Sequence, residues 1–183
     1  LLDPLVPAWK IPSGEITNHT LLKAVHATGK PVIVSSGMST TGEIDEALDL
    51  LERNEYGVVL MQCTSIYPCP PEKIGLNRLF DFRRDGADAH GLSDHSGTIY
   101  AGLAAITLGC DVLEVHVKGL PAFGPDASSS LSAQQLYQLV KGVRWIERAK
   151  ANPVDKDAMA KALEPMREIF MRKHERKATK VSA

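Results

Sequence analysis

The sequence predicts an α/β protein with a parallel sheet, built as an incomplete (β/α)8 TIM barrel. Short apolar runs alternate five times with polar loops and helical segments along the 183 residues, which is typical of parallel α/β folds. Polar side chains follow most of the apolar runs, as they do at the carboxyl ends of barrel strands. A complete barrel takes roughly 250 residues, so about five βα units predict only part of one.

The predicted strands are short, and some are apolar on both faces, as strands covered by helices are. They are Ala8–Ile11, Pro31–Ser35, Val58–Met61, Ala89–Leu92 and Val112–Val117. An open doubly wound sheet is the competing parallel architecture. No GxGxxG motif follows a strand, so the dinucleotide fingerprint of that fold is absent, and the polar strand ends favour the barrel.

The segments between the strands have the spacing of amphipathic helices. Thr40 and Glu43 have the spacing of a capping box at the start of the second helix. A long apolar stripe from Leu136 to Ile146 predicts a helix after the fifth strand. We therefore divide the chain into a partial barrel domain at residues 1–150 and a C-terminal helix with a basic tail at residues 151–183.

The composition is that of an ordinary globular protein, with 44% hydrophobic residues and a net charge of −1. It predicts no surface for nucleic acid, and no apolar run approaches the length of a membrane span. Three cysteines without a CxxC pair predict free thiols in a reducing, cytoplasmic compartment. The first residue is Leu1 rather than Met and the pattern begins midway, so we expect a piece of a longer protein.

Two histidines, His95 and His116, end consecutive predicted strands. Neighbouring strands lie about 4.8 Å apart, so both imidazoles can reach one ion, and imidazole suits divalent transition metals. Asp94 and Glu114 flank them as acid–base or orienting groups. Because an isolated histidine is more often structural, the spacing alone leaves the metal site open.

Small hydroxyl side chains cluster at the ends of the predicted strands, several of them beside glycines. They are Ser13, Ser35, Ser36, Thr64, Ser65 and Ser93. Lys30 precedes the second strand and is the candidate cation for a phosphate. A solvated lysine and ordinary loop hydroxyls would give the same pattern, so this signal also stays open by itself.

Five segments in order, at residues 10–15, 29–38, 62–68, 91–96 and 113–116, together with Gly124-Pro125-Asp126 and Ser130-Leu131, resemble the N-acetylneuraminate (sialic acid) synthase family. The similarity runs from about Val6 to Phe170. It implies that this chain corresponds to strands 4–8 of the family's catalytic barrel. The earlier βα units and the small antifreeze-like domain that usually follows the barrel would then be missing from these 183 residues.

The resemblance implies an enzyme that condenses phosphoenolpyruvate with an N-acylated amino sugar, as a homo-oligomer, commonly a dimer. It assigns a divalent metal, Mn²⁺ with Mg²⁺ or Co²⁺ as alternatives, to His95 and His116, and a carboxylate near the reacting centre to Glu114. It implies substrate contacts for Tyr67 and Asp126 toward the sugar. Toward phosphoenolpyruvate and the surrounding pocket it implies Lys30, Ser13, Ser35, Ser36, Thr64, Ser65, Ser93 and Asp94.

Three positions depart from the family pattern. Pro12 replaces a small residue, Val115 replaces a cation between Glu114 and His116, and Ala127 replaces a frequent histidine. The competing interpretations are another metal-dependent pyruvate or aldol barrel enzyme and an inactive fragment that acts only as a binding module. The Gly-Leu-Ser-Asp-His and Gln-Cys-Thr-Ser motifs favour the synthase.

Overall fold

Six parallel strands, paired in chain order, form the sheet of an incomplete barrel. The structure is a computed structural model that describes residues 2–51, 57–82, 87–120 and 123–178, without the side chains of residues 172–178. The strands are β1 Trp9–Ile11, β2 Val32–Ser35, β3 Val58–Cys63, β4 Ala89–Asp94, β5 Val112–Val117 and β6 Ser130–Leu131. The predicted fold class and all five predicted strands are confirmed, and β6 was missed because two residues carry no periodicity.

Helices follow most of the strands, as the alternating pattern predicts. They are α1 His19–His26, α2 Thr41–Leu51, α3 Arg78–Phe82, α4 Tyr100–Thr107, α5 Ala133–Ala151, α6 Lys156–Ala162 and α7 Glu164–Ala178. The capping box before α2 is confirmed, because the Thr40 amide donates to the Glu43 carboxylate at 2.7 Å and the Glu43 amide donates to Thr40 Oγ1 at 3.3 Å. These contacts satisfy two of the amides that a helix start leaves unpaired.

The strand register brings the carboxyl ends of neighbouring strands level with one another. Cys63 on β3 pairs with Ser93 on β4, and Ser93 pairs in turn with Glu114 on β5. Side chains of residues paired across parallel strands point to the same face of the sheet. One row of polar groups therefore crosses three strands at a single edge.

The hydrophobic core lies between the sheet and the helices that cover one of its faces, opposite the face that carries the polar row. Val32, Val34 and Leu60 are fully buried and pack with Leu22 of α1 and Leu51 of α2. A second cluster surrounds Leu92 of β4 and includes residues of α4. Burial of one such side chain contributes about 1.5–3 kcal/mol to folding, so these clusters hold the strand ends in place.

The chain divides into two compact units, Leu1–Glu147 and Arg148–Ala183. Within the second unit, the single C-terminal helix expected at residues 151–183 is two helices, α6 and α7, which meet at Leu163. Pro165 accounts for the break, since its ring lacks an N–H and clashes with the carbonyl four residues earlier. The large apolar side chains of these helices are exposed, from 42% for Met159 to 66% for Phe170. The basic tail lies beyond the described side chains.

No helix in the described part of the chain is long and apolar enough to cross a membrane. The cysteines Cys63, Cys69 and Cys110 are free thiols.

Strand β1 is expected to drive self-association when the 183-residue chain is expressed by itself. Among the described residues β1 pairs only with β2, so its outer edge offers unpaired amides and carbonyls to another chain. Sedimentation velocity over a dilution series should show concentration-dependent oligomers.

The exposed side chain of Phe170 on α7 provides the matched control for this experiment. Association that persists in Phe170→Asp assigns the contact to the strand edge. Association that disappears in this variant, or a monomer at every concentration, would contradict the role of the edge.

Candidate active site

A cavity of about 390 Å³ opens where the first five strands end. Its position follows from the parallel register, because the carboxyl ends of these strands meet at one edge of the sheet. The residues that line it come from these five strands and the loops after them: Lys10, Pro12, Ser13, Gly14, Ser35, Met38, Cys63, Ser65, Tyr67, Ser93, His95, Glu114 and His116.

The two imidazoles of His95 and His116 converge in this cavity. Their ring centroids are 5.1 Å apart with planes inclined by 60°. Tyr67 completes the cluster, because it stacks on His95 with centroids 4.2 Å apart and meets His116 edge-on at 5.8 Å. Both histidines thus face the same space, as their places at adjacent strand ends predict.

His95 is held by contacts on both ring nitrogens. Nδ1 lies 3.1 Å from the Thr64 carbonyl oxygen and 3.8 Å from Cys63 Sγ. Nε2 lies 3.1 Å from the Tyr67 hydroxyl. The ring is 4% exposed, so its orientation is fixed by the neighbouring strand and loop rather than by solvent.

Lys10, Glu114 and Ser93 form the charged side of the cavity. Lys10 Nζ lies 3.0 Å from Glu114 Oε2, and Ser93 Oγ donates to Glu114 Oε1 at 2.8 Å. Burial by itself raises the pKa of Glu114, but the hydrogen bonds from Ser93 and Lys10 outweigh it. The pKa of Glu114 therefore lies below its usual value, and the group is a carboxylate at neutral pH.

The thiol of Cys63 and the imidazole of His95 shift each other's pKa in opposite directions. Burial raises the pKa of Cys63, but hydrogen bonds with His95 and Ser13 outweigh it and lower the pKa below its usual value. Burial lowers the pKa of His95, but the contacts with Cys63 and Thr64 outweigh it and raise the pKa. The Tyr67 pKa is raised, by burial and then by the nearby negative charges, so its hydroxyl keeps its proton.

Hydroxyl groups form a further part of the cavity wall, around Gly37. The Gly37 amide donates to Ser13 Oγ at 2.9 Å, and a Cβ at Gly37 would lie 2.3 Å from Ser65 Oγ and 2.8 Å from Cys63 Sγ. Ser35 Oγ is buried and has no hydrogen-bond partner in the described part of the chain. This hydroxyl is available to a polar group that enters the cavity.

The structure does not bring Lys30 to this cavity, contrary to the expectation that it lines the same wall as the histidines. Lys30 precedes β2, so it lies at the amino end of the strand, whereas the cavity lies at the carboxyl end. Its ammonium pairs with the Asp3 carboxylate at 3.0 Å and contacts the carbonyls of Asp3 and Val6. Lys30 thus ties the start of the chain to the sheet.

Four further predicted residues lie beside the cavity rather than in its lining. Ser36 Oγ donates to the Met61 carbonyl and Thr64 Oγ1 donates to the Lys73 carbonyl. Asp94 is buried and accepts from the amide and hydroxyl of Ser96. Asp126 is exposed, with Oδ2 4.0 Å from His116 Nδ1. The first three have local structural contacts, and Asp126 lies near His116 beyond hydrogen-bond distance.

Sequence reasoning missed Lys10 and Cys63 as lining residues. Lys10 lies inside β1, ahead of the polar residues that follow this strand. Alternation along the strand could have found it, since Ile11 is buried in the core and its neighbour must point to the other face. Cys63 is the last residue of β3. The strand extends two residues beyond its predicted end at Met61, and this extension places Cys63 in the cavity wall.

The described residues offer two imidazoles, but no larger set of metal ligands, at the cavity. They hold no group of three or more His, Cys, Asp or Glu side chains arranged to bind one ion. Two converging imidazoles are ligands suited to a divalent transition metal. A site with two protein ligands leaves the other coordination positions to water or substrate, which is the arrangement of a catalytic rather than a structural metal.

The sequence profile of the NeuB family matches residues 1–155. The chain is 37% identical over 154 residues to the N,N'-diacetyllegionaminic acid synthase of Campylobacter jejuni, covering 81% of this chain and 46% of that protein. It is 33% identical over 150 residues to human N-acetylneuraminate-9-phosphate synthase, and the match covers 81% of this chain and 42% of that protein. The chain therefore spans less than half the length of these relatives.

Among solved structures, the crystal structure of N-acetylneuraminic acid synthetase from Leptospira borgpetersenii in complex with citrate superposes with a TM-score of 0.78. The two sequences are 26% identical, and the match covers 92% of this chain and 60% of that chain.

Replacement of Gly37 by Ala is expected to destabilise the fold by about 1–3 kcal/mol. The backbone there is compatible with any residue, so the cost comes from space alone: the new methyl group meets three side-chain atoms closer than 3 Å. Gly42→Ala is the matched control, because nothing lies within 4 Å of a Cβ at that position. Urea unfolding should separate the two variants, and equal free energies of unfolding would contradict the close packing at Gly37.

Cys63 is expected to react with iodoacetamide severalfold faster than Cys69 near neutral pH, since the thiolate is the reactive form. The pKa of Cys63 is lowered and that of Cys69 is raised, by burial and by the nearby charges of Asp94 and Cys63. The two are almost equally buried, at 6% and 4%, so exposure does not decide the order. Mass spectrometry of the peptides measures both rates in one sample, and unfolded protein should show the two rates becoming similar. A faster Cys69 would refute the assignment.

Proposed function

The chain belongs to the NeuB family, and we propose that it forms part of a synthase that condenses phosphoenolpyruvate with an N-acylated amino sugar, N-acetylmannosamine or a relative, to a nonulosonic acid. The observation that carries the proposal is a single cavity with two chemically different sides. One side has an ammonium and buried hydroxyls, and the other has two converging imidazoles. A phosphorylated enol and a sugar carbonyl need these two kinds of group next to each other.

The phosphoenolpyruvate side of the cavity centres on Lys10. Its ammonium is the cation in the described lining, and Ser13, Ser35, Ser65 and Ser93 bring hydroxyls to the same cavity. Charge-assisted hydrogen bonds from such groups orient a phosphate or carboxylate. Ser35 has a free donor for this purpose, whereas the Lys10 ammonium and the Ser93 hydroxyl must exchange Glu114 for the substrate anion.

His95 and His116 would hold a divalent metal, for which we propose Mn²⁺, with Mg²⁺ or Co²⁺ as alternatives. Such an ion, when bound, supplies Lewis acidity to a carbonyl oxygen and a lowered pKa to a bound water. Asp126 Oδ2 lies 4.0 Å from Nδ1 of His116, and a closer approach would fix the tautomer that leaves Nε2 for the ion. Asp94 supports the same region, since its contacts with Ser96 hold the loop that begins at His95.

The bond changes follow from the two substrates. C3 of the enol forms a bond to the aldehyde carbon of the open-chain sugar, water adds to C2, and phosphate leaves with cleavage of its C–O bond. The chain's own residues bind the phosphate, orient the sugar and hold charges near the reacting atoms. Glu114 lies between the two sides as a carboxylate, so it can balance positive charge near C2, and Tyr67 and Asp126 are the proposed contacts to the sugar.

The whole enzyme needs more than these 183 residues, since its relatives are about twice as long. We propose that it works as a homo-oligomer, commonly a dimer, in the cytoplasm, where free cysteines such as Cys63 are stable. Because the relatives are about twice as long, we expect the 183-residue chain alone to lack the condensation activity.

The test compares Lys10→Met with Lys30→Met in the full-length parent protein. Lys10→Met should raise the KM for phosphoenolpyruvate roughly ten- to hundredfold, the loss expected for one charge-assisted hydrogen bond. It should change the KM for N-acetylmannosamine little. Lys30→Met is the matched control, because Lys30 binds Asp3 at the other end of the strand, and both KM values should stay near those of the parent.

The assay follows phosphate release and the nonulosonic acid product. Equal losses toward both substrates in Lys10→Met would assign that lysine a structural role. A parent protein that forms no nonulosonic acid from phosphoenolpyruvate and any N-acylated amino sugar would refute the proposed reaction.

A further inference from the structure

The contacts of His95 determine which of its ring nitrogens can bind a metal ion. Nδ1 lies 3.1 Å from the carbonyl oxygen of Thr64, and a carbonyl can only accept, so Nδ1 carries a proton. In the neutral ring Nε2 then carries the lone pair, and it is the nitrogen available to a metal. The side chain's metal-binding atom is therefore fixed by a backbone group of the loop after β3.

That lone pair already has a partner in the structure. The Tyr67 hydroxyl lies 3.1 Å from Nε2, and it donates because Nε2 can only accept in this tautomer. A phenol hydroxyl carries its proton at neutral pH, so it has the donor that this contact needs. Tyr67 thus occupies the position from which a metal ion would approach His95.

We propose that Tyr67 is a placeholder for the metal: its hydroxyl holds the Nε2 lone pair of His95 in the metal-free protein and leaves it when a divalent ion binds. The inference rests on the proposed metal-dependent function. A buried imidazole nitrogen without a partner is unfavourable, and His95 is 4% exposed, so the hydroxyl stabilises the metal-free site. Metal binding is then an exchange of one partner for another.

Tyr67 is placed so that it can leave without disturbing the rest of the site. It is 46% exposed, so its ring can rotate toward solvent. The Thr64 carbonyl continues to hold Nδ1 of His95 after the hydroxyl departs. The same rotation uncovers His116, because the Tyr67 ring meets that imidazole edge-on at 5.8 Å.

The test is a titration of the protein with Mn²⁺, in which the electron paramagnetic resonance signal of the free ion reports binding. Tyr67→Phe removes the hydroxyl and retains the ring, so Mn²⁺ should bind roughly two- to tenfold more tightly, the equivalent of one net hydrogen bond. Tyr137→Phe, on the exposed surface of α5, is the matched control and should bind as the wild type does. His95→Ala should lose the tight site.

A second measurement follows the tyrosine near-ultraviolet difference spectrum during the same titration. The wild type and Tyr137→Phe should show a change as the hydroxyl leaves His95, and Tyr67→Phe should show none. If the wild type binds Mn²⁺ and Tyr67→Phe binds it equally or more weakly, the placeholder role is overturned while the metal site stands. If neither protein binds Mn²⁺, the proposed metal site is overturned together with the role of Tyr67.

Discussion

The site depends on one constraint, the parallel pairing of β1 to β5 in chain order with their carboxyl ends level. This register sets Cys63, Ser93 and Glu114 side by side on three strands, although 51 residues separate the first from the last. A shift of one residue would turn every side chain of a strand to the opposite face. The buried cluster around Val32, Val34 and Leu60 makes such a shift costly, so the packing that stabilises the sheet also sets the positions of the polar groups.

Alternation along single strands separates core from site within very short distances. On β1, Ile11 packs in the core and Lys10 lines the cavity, and on β2 the buried Val34 is followed by Ser35 with its unpartnered hydroxyl. Loops then add what a strand cannot supply. The turn after β3 provides Ser65 and Tyr67, and the close approach around Gly37 lets the hydroxyls of Ser13 and Ser65 and the Cys63 thiol share one small volume.

The sequence predicted the sheet and the convergence of His95 with His116 because both follow from periodicity and strand order. It did not predict which residue would supply the cation. Lys30 stands beside a glycine and ahead of its strand, whereas Lys10 lies within a strand. The alternation of side chains along β1, and not the nearness of a glycine, determines which lysine faces the cavity. Ser36 and Thr64 are a different case, since their hydroxyls satisfy nearby carbonyls. A pattern shows that a hydroxyl is present but not whether the backbone already uses it. The break between α6 and α7 could have been predicted from Pro165.

The polar atoms of the cavity are largely paired with one another, and this affects how ligands can bind. Lys10 and Ser93 are engaged by Glu114, and His95 is engaged by Thr64 and Tyr67. Each ligand must replace a partner that the chain already supplies, so its affinity is the difference between two interactions of similar kind and not the full strength of either. Such a site keeps its side chains in place before the ligands arrive, which favours reaction geometry over tight binding. Ser35 is the exception, because no group in the described part of the chain pairs with its buried hydroxyl. A ligand that bonds to Ser35 would displace no protein partner there, at the wall where the substrate anion is proposed to bind.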